Sequence, residues 1–154
     1  MYVYFGKGKD IDQIKSEFGK GIQFVSTKSQ YNKNFKKRFR DNRYKADGCN
    51  YVPMGLLFPK KINKSLKKSL EKCDKLILGD HNPPATILKY MKNPTIFHIK
   101  NGTFFSQKTA KKNTILKYLW EENKKVKIIY HHTKRKYEFD TIKDCWDCFC
   151  PSYS

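Results

Sequence analysis

The sequence predicts an α/β fold: a mainly parallel sheet sandwiched by helices, closed by a hairpin-rich C-terminal extension. Three observations carry this. Short apolar, β-branched and aromatic runs alternate with amphipathic helical stretches as far as residue 99. Turn residues punctuate the junctions between them. Beyond that point, paired strand patterns follow one another with no helix between, as hairpins do. No stretch reads as a linker, so the 154 residues are expected to form a single domain, an α/β core over about 1–99 and a hairpin and helix extension over about 100–154.

Taken in order, Tyr2 to Phe5 is the first strand, and after Gly6-Lys7-Gly8-Lys9 a helix is expected from Asp10 to Phe18, capped by Gly19. Gly21 to Ser26 is a second strand. Tyr31, Phe35 and Phe39 then recur at helical spacing, so that one face of this segment should meet the core. Tyr51 to Phe58 is a third strand in spite of Pro53 and Gly55. From Lys60 to Cys73, Ile62, Leu66, Leu70 and Cys73 line one helical side while lysines crowd the other. Lys75 to Gly79 is a buried strand, and Asn82 and the prolines open a helix over Ala85 to Lys92. Thr95 to Ile99 and Thr103 to Ser106 flank Asn101-Gly102 as a hairpin, followed by a helix from Lys108 to Trp120. Val126 to His131 and Lys136 to Phe139 form a second hairpin, and Asp140 caps a last helix from Thr141 to Phe149.

Charge narrows the function. Thirty-three Lys and Arg face fourteen Asp and Glu, a net charge of +19, which repels itself unless a polyanion neutralises it. The wealth of Lys, Asn, Ile, Tyr and Phe fits A+T-rich codons and hence a source such as a virus or phage, but it does not account for the scarcity of acids. No run reaches the ~18 apolar residues of a membrane helix, and Met1 to Gly8 has no apolar core of a secretory signal. Five cysteines, three bunched as Cys145, Cys148 and Cys150, do not form an extracellular disulfide framework. These features lead to the expectation of an intracellular protein in a reducing compartment, with no membrane partner.

The strongest binding signal is the segment from Thr27 to Lys45, where Lys28, Lys33, Lys36, Lys37, Arg38, Arg40, Arg43 and Lys45 oppose the single Asp41. Tyr31 and Tyr44 would add stacking on unpaired bases. Charge runs are commonly just solvated helix faces, but the helix from Lys60 to Lys72 repeats the pattern with Lys61, Lys64 and Lys68. Gly6, Lys7, Gly8 and Lys9 would let backbone N–H groups cradle a phosphate, although Asp10 places negative charge at that helix end and a plain tight turn uses the same residues. Asp80 and His81 follow a buried strand, where ligands of open α/β sheets bind, and are the catalytic candidates; capping of the Pro83 helix explains them equally. The C-x-x-C-x-C cluster with His98, His131 or His132 as fourth ligand would suit zinc, but the second pair is missing and Trp146 and Phe149 favour core packing, so neither metal nor cofactor is expected.

Two stretches resemble known families. Residues 127–149, with Tyr137, Phe139, Asp140, Thr141, Ile142 and Lys143, resemble the strand, hairpin and helix modules appended to homing endonucleases; Cys145, Trp146 and Phe149 depart from the usual end of that motif. The resemblance implies a DNA-contacting accessory module. Residues 69–99 are similar to the core of nucleoside deoxyribosyltransferase-like proteins, with Lys89 standing about where that family needs a carboxylate. Three functions follow as expectations: a nucleic-acid-binding protein gripping the phosphate backbone, an α/β enzyme acting on a nucleotide or phosphorylated small molecule, and a structural or virion assembly protein docking on acidic partners. The first is preferred because the basic face is repeated; the second lacks a complete catalytic constellation, and the third demands the same charge, so the sequence does not separate it from the first.

Overall fold

The computed structural model describes residues 1–40, 43–54, 63–79, 81, 83–91, 96–100, 114–122 and 125–149. Seven strands, β1 (Tyr2–Phe5), β2 (Gln23–Ser26), β3 (Asn50–Pro53), β4 (Lys75–Leu78), β5 (Ile96–Lys100), β6 (Lys127–His132) and β7 (Arg135–Phe139), form one sheet in the order β3-β2-β1-β4-β5-β6-β7. The first six are parallel, and β7 returns antiparallel to β6 as a hairpin. The parallel strands are short continuous apolar runs because both of their faces are covered: Val3, Tyr4 and Phe5 of β1 and Leu76, Ile77 and Leu78 of β4 are all fully buried.

Side chains alternate across the sheet and build two cores. On one face lie α1 (Ile11–Phe18), α2 (Lys28–Gln30), a π-helical stretch (Tyr31–Phe35), α3 (Lys36–Arg40) and α4 (Arg43–Ala46), where Ile11, Ile14, Phe35, Phe39 and Tyr44 pack with Tyr4, Phe24 and Ile77. On the other lie α5 (Lys64–Glu71), a 3-10 helix (Ala85–Tyr90), α6 (Ile115–Glu122) and α7 (Ile142–Phe149), which set Leu66, Leu70, Ile87, Leu116 and Trp146 against Val3, Phe5, Leu76, Leu78, Ile128 and Tyr130. Truncating Leu70, which is fully buried in this second core, to alanine would cost ~2–5 kcal/mol.

Several expectations are corrected in detail. The basic segment after β2 is not one regular helix, because it passes through the π-helical stretch Tyr31–Phe35. The helix expected over Ala85 to Lys92 is the 3-10 helix Ala85–Tyr90 behind Pro84. Neither Pro83 nor Pro84 can donate a backbone N–H to a helical ladder, and Asn82 lies outside the described residues. Thr141, not Asp140, caps α7, its Oγ1 accepting from the Asp144 N–H at 3.2 Å. β5 has β4 on one side and β6 on the other, so both of its edges are occupied and neither is left for the hairpin partner read into 103–106, which lies outside the described residues. No helix among the described residues is long and apolar enough to cross a membrane.

One topological feature positions the candidate sites. From β1 the chain moves outward through β2 to β3, then crosses back to place β4 on the other side of β1. The strand order therefore reverses between β1 and β4, and the loops leaving their carboxyl ends part in opposite directions.

Candidate functional site

The two basic helical segments lie on opposite faces of the sheet, yet both border the same edge strand. Tyr31, Phe35 and Phe39 hold the first segment over Tyr51 of β3, the Tyr31 and Tyr51 rings stacking at 4.1 Å. Leu66 and Leu70 of α5 share a core with Val52 and Met54 from the other side. Lys28, Lys33, Lys37, Arg40 and Lys45 are exposed on one flank of β3, and Lys64, Lys67, Lys68 and Lys72 on the other, while Lys36 is half-buried. Helical periodicity produces this, because the aromatic and leucine positions that face the sheet force the intervening lysines outward. Lys61 lies outside the described residues, as does the side chain of Arg43.

Charge is concentrated around this edge. Among the described residues, those from 20 to 72 carry thirteen Lys and Arg against two acids, whereas those from 114 to 149, which build the opposite end of the sheet, carry seven against six. The β3 end is thus a cationic saddle with the helical stretches from α2 to α4 as one flap and α5 as the other.

Two residues expected to serve binding are occupied internally. Arg38 donates to Asp12 Oδ2 at 2.9 Å and to the Asn34 carbonyl at 3.0 Å, and the bond to Asp12 raises its pKa further. Tyr44, expected to stack on bases, is buried in the core and donates its hydroxyl to Asp12 Oδ1 at 2.6 Å; burial first, then that bond, raises its pKa. Asp12 is the organiser that sequence reasoning missed, since its partners lie 26 and 32 residues away.

Where the strand order reverses, Gly6 and Lys7 after β1 and His81 after β4 meet in one cleft of about 120 Å³, completed by Thr27, Gln30 and Met54. The two loops singled out from the sequence are therefore brought together, although Asp80 lies outside the described residues. The glycines have a packing cause. A Cβ on Gly6 or Gly79 would run into the Tyr4 side chain, and one on Gly8, at φ +86°, into the Phe35 ring. Asn34 Nδ2 donates to the Lys7 carbonyl at 2.7 Å and steadies the loop. Asp10 accepts from the Tyr4 hydroxyl at 2.7 Å, so the helix end behind the loop is acidic. Lys9 is exposed, and His81 packs against Phe5 with ring centroids 6.4 Å apart.

A broader groove of about 670 Å³ opens at the amino-terminal end of β6, between Lys125, Lys127, Glu138, Asp140 and Asp144. Its charges are of both signs and partly satisfy each other, Lys127 Nζ lying 3.4 Å from Glu138 Oε1. It sits at the opposite end of the parallel strands from the switch point, so the smaller cleft is the better candidate for ligand chemistry.

A buried polar cluster links α1 to the far half of the sheet. His98 and His131 occupy neighbouring positions on the α1 face of β5 and β6, with Nδ1 of the first 2.9 Å from Nε2 of the second, and His131 Nδ1 lies 2.6 Å from Glu17 Oε1. Burial, reinforced by the neighbouring His131, pushes the His98 pKa down to about 3. Cys145 is buried in α7 across the sheet from both rings, so neither is placed to complete a ligand set with it. Cys148 is exposed, and Cys150 lies outside the described residues. Among the described residues no group of three or more His, Cys, Asp or Glu is arranged to hold a metal ion. Cys73 donates its thiol to the Lys75 carbonyl at 2.9 Å, and burial pushes its pKa up to about 11.

The molecule thus belongs to the α/β class, with a mainly parallel sheet, a cationic edge and a small cleft at the switch point. No protein-family model, curated protein or solved structure matches the chain.

Proposed function

We propose that the chain binds nucleic acid, seating the phosphate backbone across the cationic saddle at the β3 edge. The observation that carries this is the segregation of charge: two lysine-rich helical flanks, formed on opposite faces of the sheet, converge on one edge strand, while the described residues from 114 to 149 at the other end of the sheet are nearly balanced. A solvated charge run needs no such convergence. Phosphates tracking around the edge would meet Lys28, Lys33, Lys37 and Arg40 on one flap and Lys64, Lys67 and Lys68 on the other. These contacts position a strand or duplex without reading its sequence, because they address phosphates rather than base edges.

Fluorescence anisotropy with short DNA and RNA strands and duplexes, on protein freed of nucleic acid by nuclease, tests this. If about five phosphates of a duplex are neutralised, log K falls against log salt with a slope near −4 to −5. Absent binding at ~50 mM salt, or binding indifferent to salt, overturns the proposal. A stable complex with an acidic protein that persists after nuclease treatment would assign the saddle to protein docking instead.

A further inference from the structure

We infer that the nucleic acid taken by the saddle is single-stranded, with one of its bases stacked on the Tyr31 ring. The inference rests on the nucleic-acid function proposed above and narrows it to unpaired strands.

Among the aromatic side chains gathered over β2 and β3, burial divides two from the rest. Phe24, Phe35, Phe39 and Tyr44 are buried, whereas Tyr31 and Tyr51 are only half-buried. Tyr51 is the inner member of that pair. Its ring lies near Phe35 and Phe39, with centroids 6.2 and 6.4 Å away, and its hydroxyl donates to the Ser26 carbonyl at 3.1 Å. Tyr31 lies over it with centroids 4.1 Å apart and planes inclined by 29°. Its one other ring neighbour among the described residues is Phe39, at 6.5 Å, and its hydroxyl holds no hydrogen bond to them. Tyr31 is therefore a ring fixed from one side and open to solvent on another.

The backbone holds it there. In a regular α-helix, residues four apart drift by about 40° per step, which would turn Tyr31, Phe35 and Phe39 progressively off one line. The π turn, closed by the Lys36 N–H on the Tyr31 carbonyl, is wider and keeps Tyr31 above β3. A ring ordered before binding loses little further entropy when a ligand settles on it.

Cations frame this ring. Lys28 stands one turn before Tyr31 and Lys33 two residues after it, both exposed, and Lys37 and Arg40 continue along the flap. A phosphate backbone running along these cations carries its bases beside the ring. An unpaired base has a free π face to lay on it, and such stacking tolerates any sequence because every base has that face. A duplex keeps its bases stacked on one another and presents only their edges in its grooves. Phosphates alone would satisfy the lysines, but only an unpaired strand uses Tyr31 as well.

Anisotropy at fixed salt compares three ligands with nearly equal phosphate counts: a strand of about 24 thymidines, the same strand built with abasic sugars throughout, and a duplex of about 12 base pairs. The base-bearing strand should bind about tenfold more tightly than the abasic one, the scale of one stacked base, and more tightly than the duplex. Tyr31→Ala should erase the first difference and leave the abasic strand and the duplex within about twofold of their original affinities. Tyr31→Trp should keep it and add an indole emission, beyond that of Trp120 and Trp146, which the base-bearing strand quenches and the abasic strand does not. The abasic comparison is made on the unsubstituted chain and holds whatever Tyr31→Ala does to the flap. Equal binding of the base-bearing and abasic strands, or tighter binding of the duplex, overturns the inference and leaves the saddle standing. Absence of binding by all three ligands at ~50 mM salt removes the nucleic-acid function, and this inference with it.

Discussion

His98 Nδ1 lies 2.9 Å from His131 Nε2, and through His131 the ring of β5 is tied to the Glu17 carboxylate at the end of α1. Both imidazoles are almost wholly buried, and Phe18 packs its edge against His98 with centroids 4.7 Å apart. Two titratable rings are thus built into the contact between a helix and the half of the sheet farthest from the basic edge.

This contact should weaken in mild acid. The folded pKa of His98 lies at about 3, below its unfolded value of 6.5, so the unfolded chain binds the additional proton first as pH falls. The stability present above pH 6.5 is then lost progressively toward pH 3, at up to roughly 1.4 kcal/mol per pH unit for one proton. Urea midpoints at pH 7 and pH 5 measure the slope. His98→Gln should be less stable at pH 7 and show a shallower dependence between those values; an unchanged slope would remove His98 as its cause.

Arg38 and Arg40 should separate structure from binding. Arg38 is engaged with Asp12 and the Asn34 carbonyl, so Arg38→Ala is expected to cost ~0.5–1 kcal/mol of stability, the modest scale of a partly exposed ion pair, and to change strand affinity little. Arg40 is exposed, and Arg40→Ala should leave the urea midpoint unchanged while lowering affinity and flattening the salt slope by about one unit. The opposite pattern would mean that Arg38, and not Arg40, faces the phosphates.

Charge reversal on either flap should weaken binding equally for every nucleic-acid sequence. Lys37→Glu with Arg40→Glu tests one side of β3, and Lys64→Glu with Lys68→Glu the other. Lys134→Glu with Arg135→Glu, at the balanced end of the sheet, is the control. A control as damaging as either flap would show that net charge alone matters, and the saddle would be wrong.

Gly8→Ala should destabilise the fold much more than Gly19→Ala. Both glycines have φ near +85°, but a Cβ on Gly8 meets the Phe35 ring while one on Gly19 meets nothing within 4 Å. Gly19→Ala, at φ +84° and ψ −124°, then carries only the cost of a backbone conformation that suits glycine, ~1–3 kcal/mol, and Gly8→Ala adds repacking of Phe35 for another ~1–3 kcal/mol. Thermal melts of the two variants decide it; equal losses would mean the loop yields without disturbing Phe35.

Most of the elements were legible because each is a local pattern. The Val3 to Phe5 and Leu76 to Leu78 runs, the Leu66 and Leu70 stripe and the helix-ending Gly19 need no knowledge of their partners. Strand order was not legible, since a parallel crossover leaves no mark on the residues that make it, and so the placement of α3 and α5 on opposite sides of β3 emerged only in three dimensions. Tyr44 was misread as a base-stacking residue because its neighbours in sequence are basic, whereas its neighbours in space are Phe24, Phe39 and Asp12. The histidine pair is separated by 33 residues, and its one sequence trace is a histidine inside each of two otherwise apolar strand patterns. The cleft was half legible: the loops at Gly6 and His81 were chosen as strand ends, but Thr27, Gln30 and Met54 were not.

Among the described residues β3 and β7 are the outermost strands of the sheet, the kind of border along which identical chains can polymerise. Both borders are guarded. β3 ends in Pro53, which has no N–H to offer, and lies between lysine-rich flaps that would repel the same flaps on a second copy. β7 carries exposed Arg135 and Lys136 at its start. The cations that suit the molecule to a polyanion therefore also discourage it from extending its sheet into a fibril, and neutralising the β3 flank should cost solubility as well as affinity.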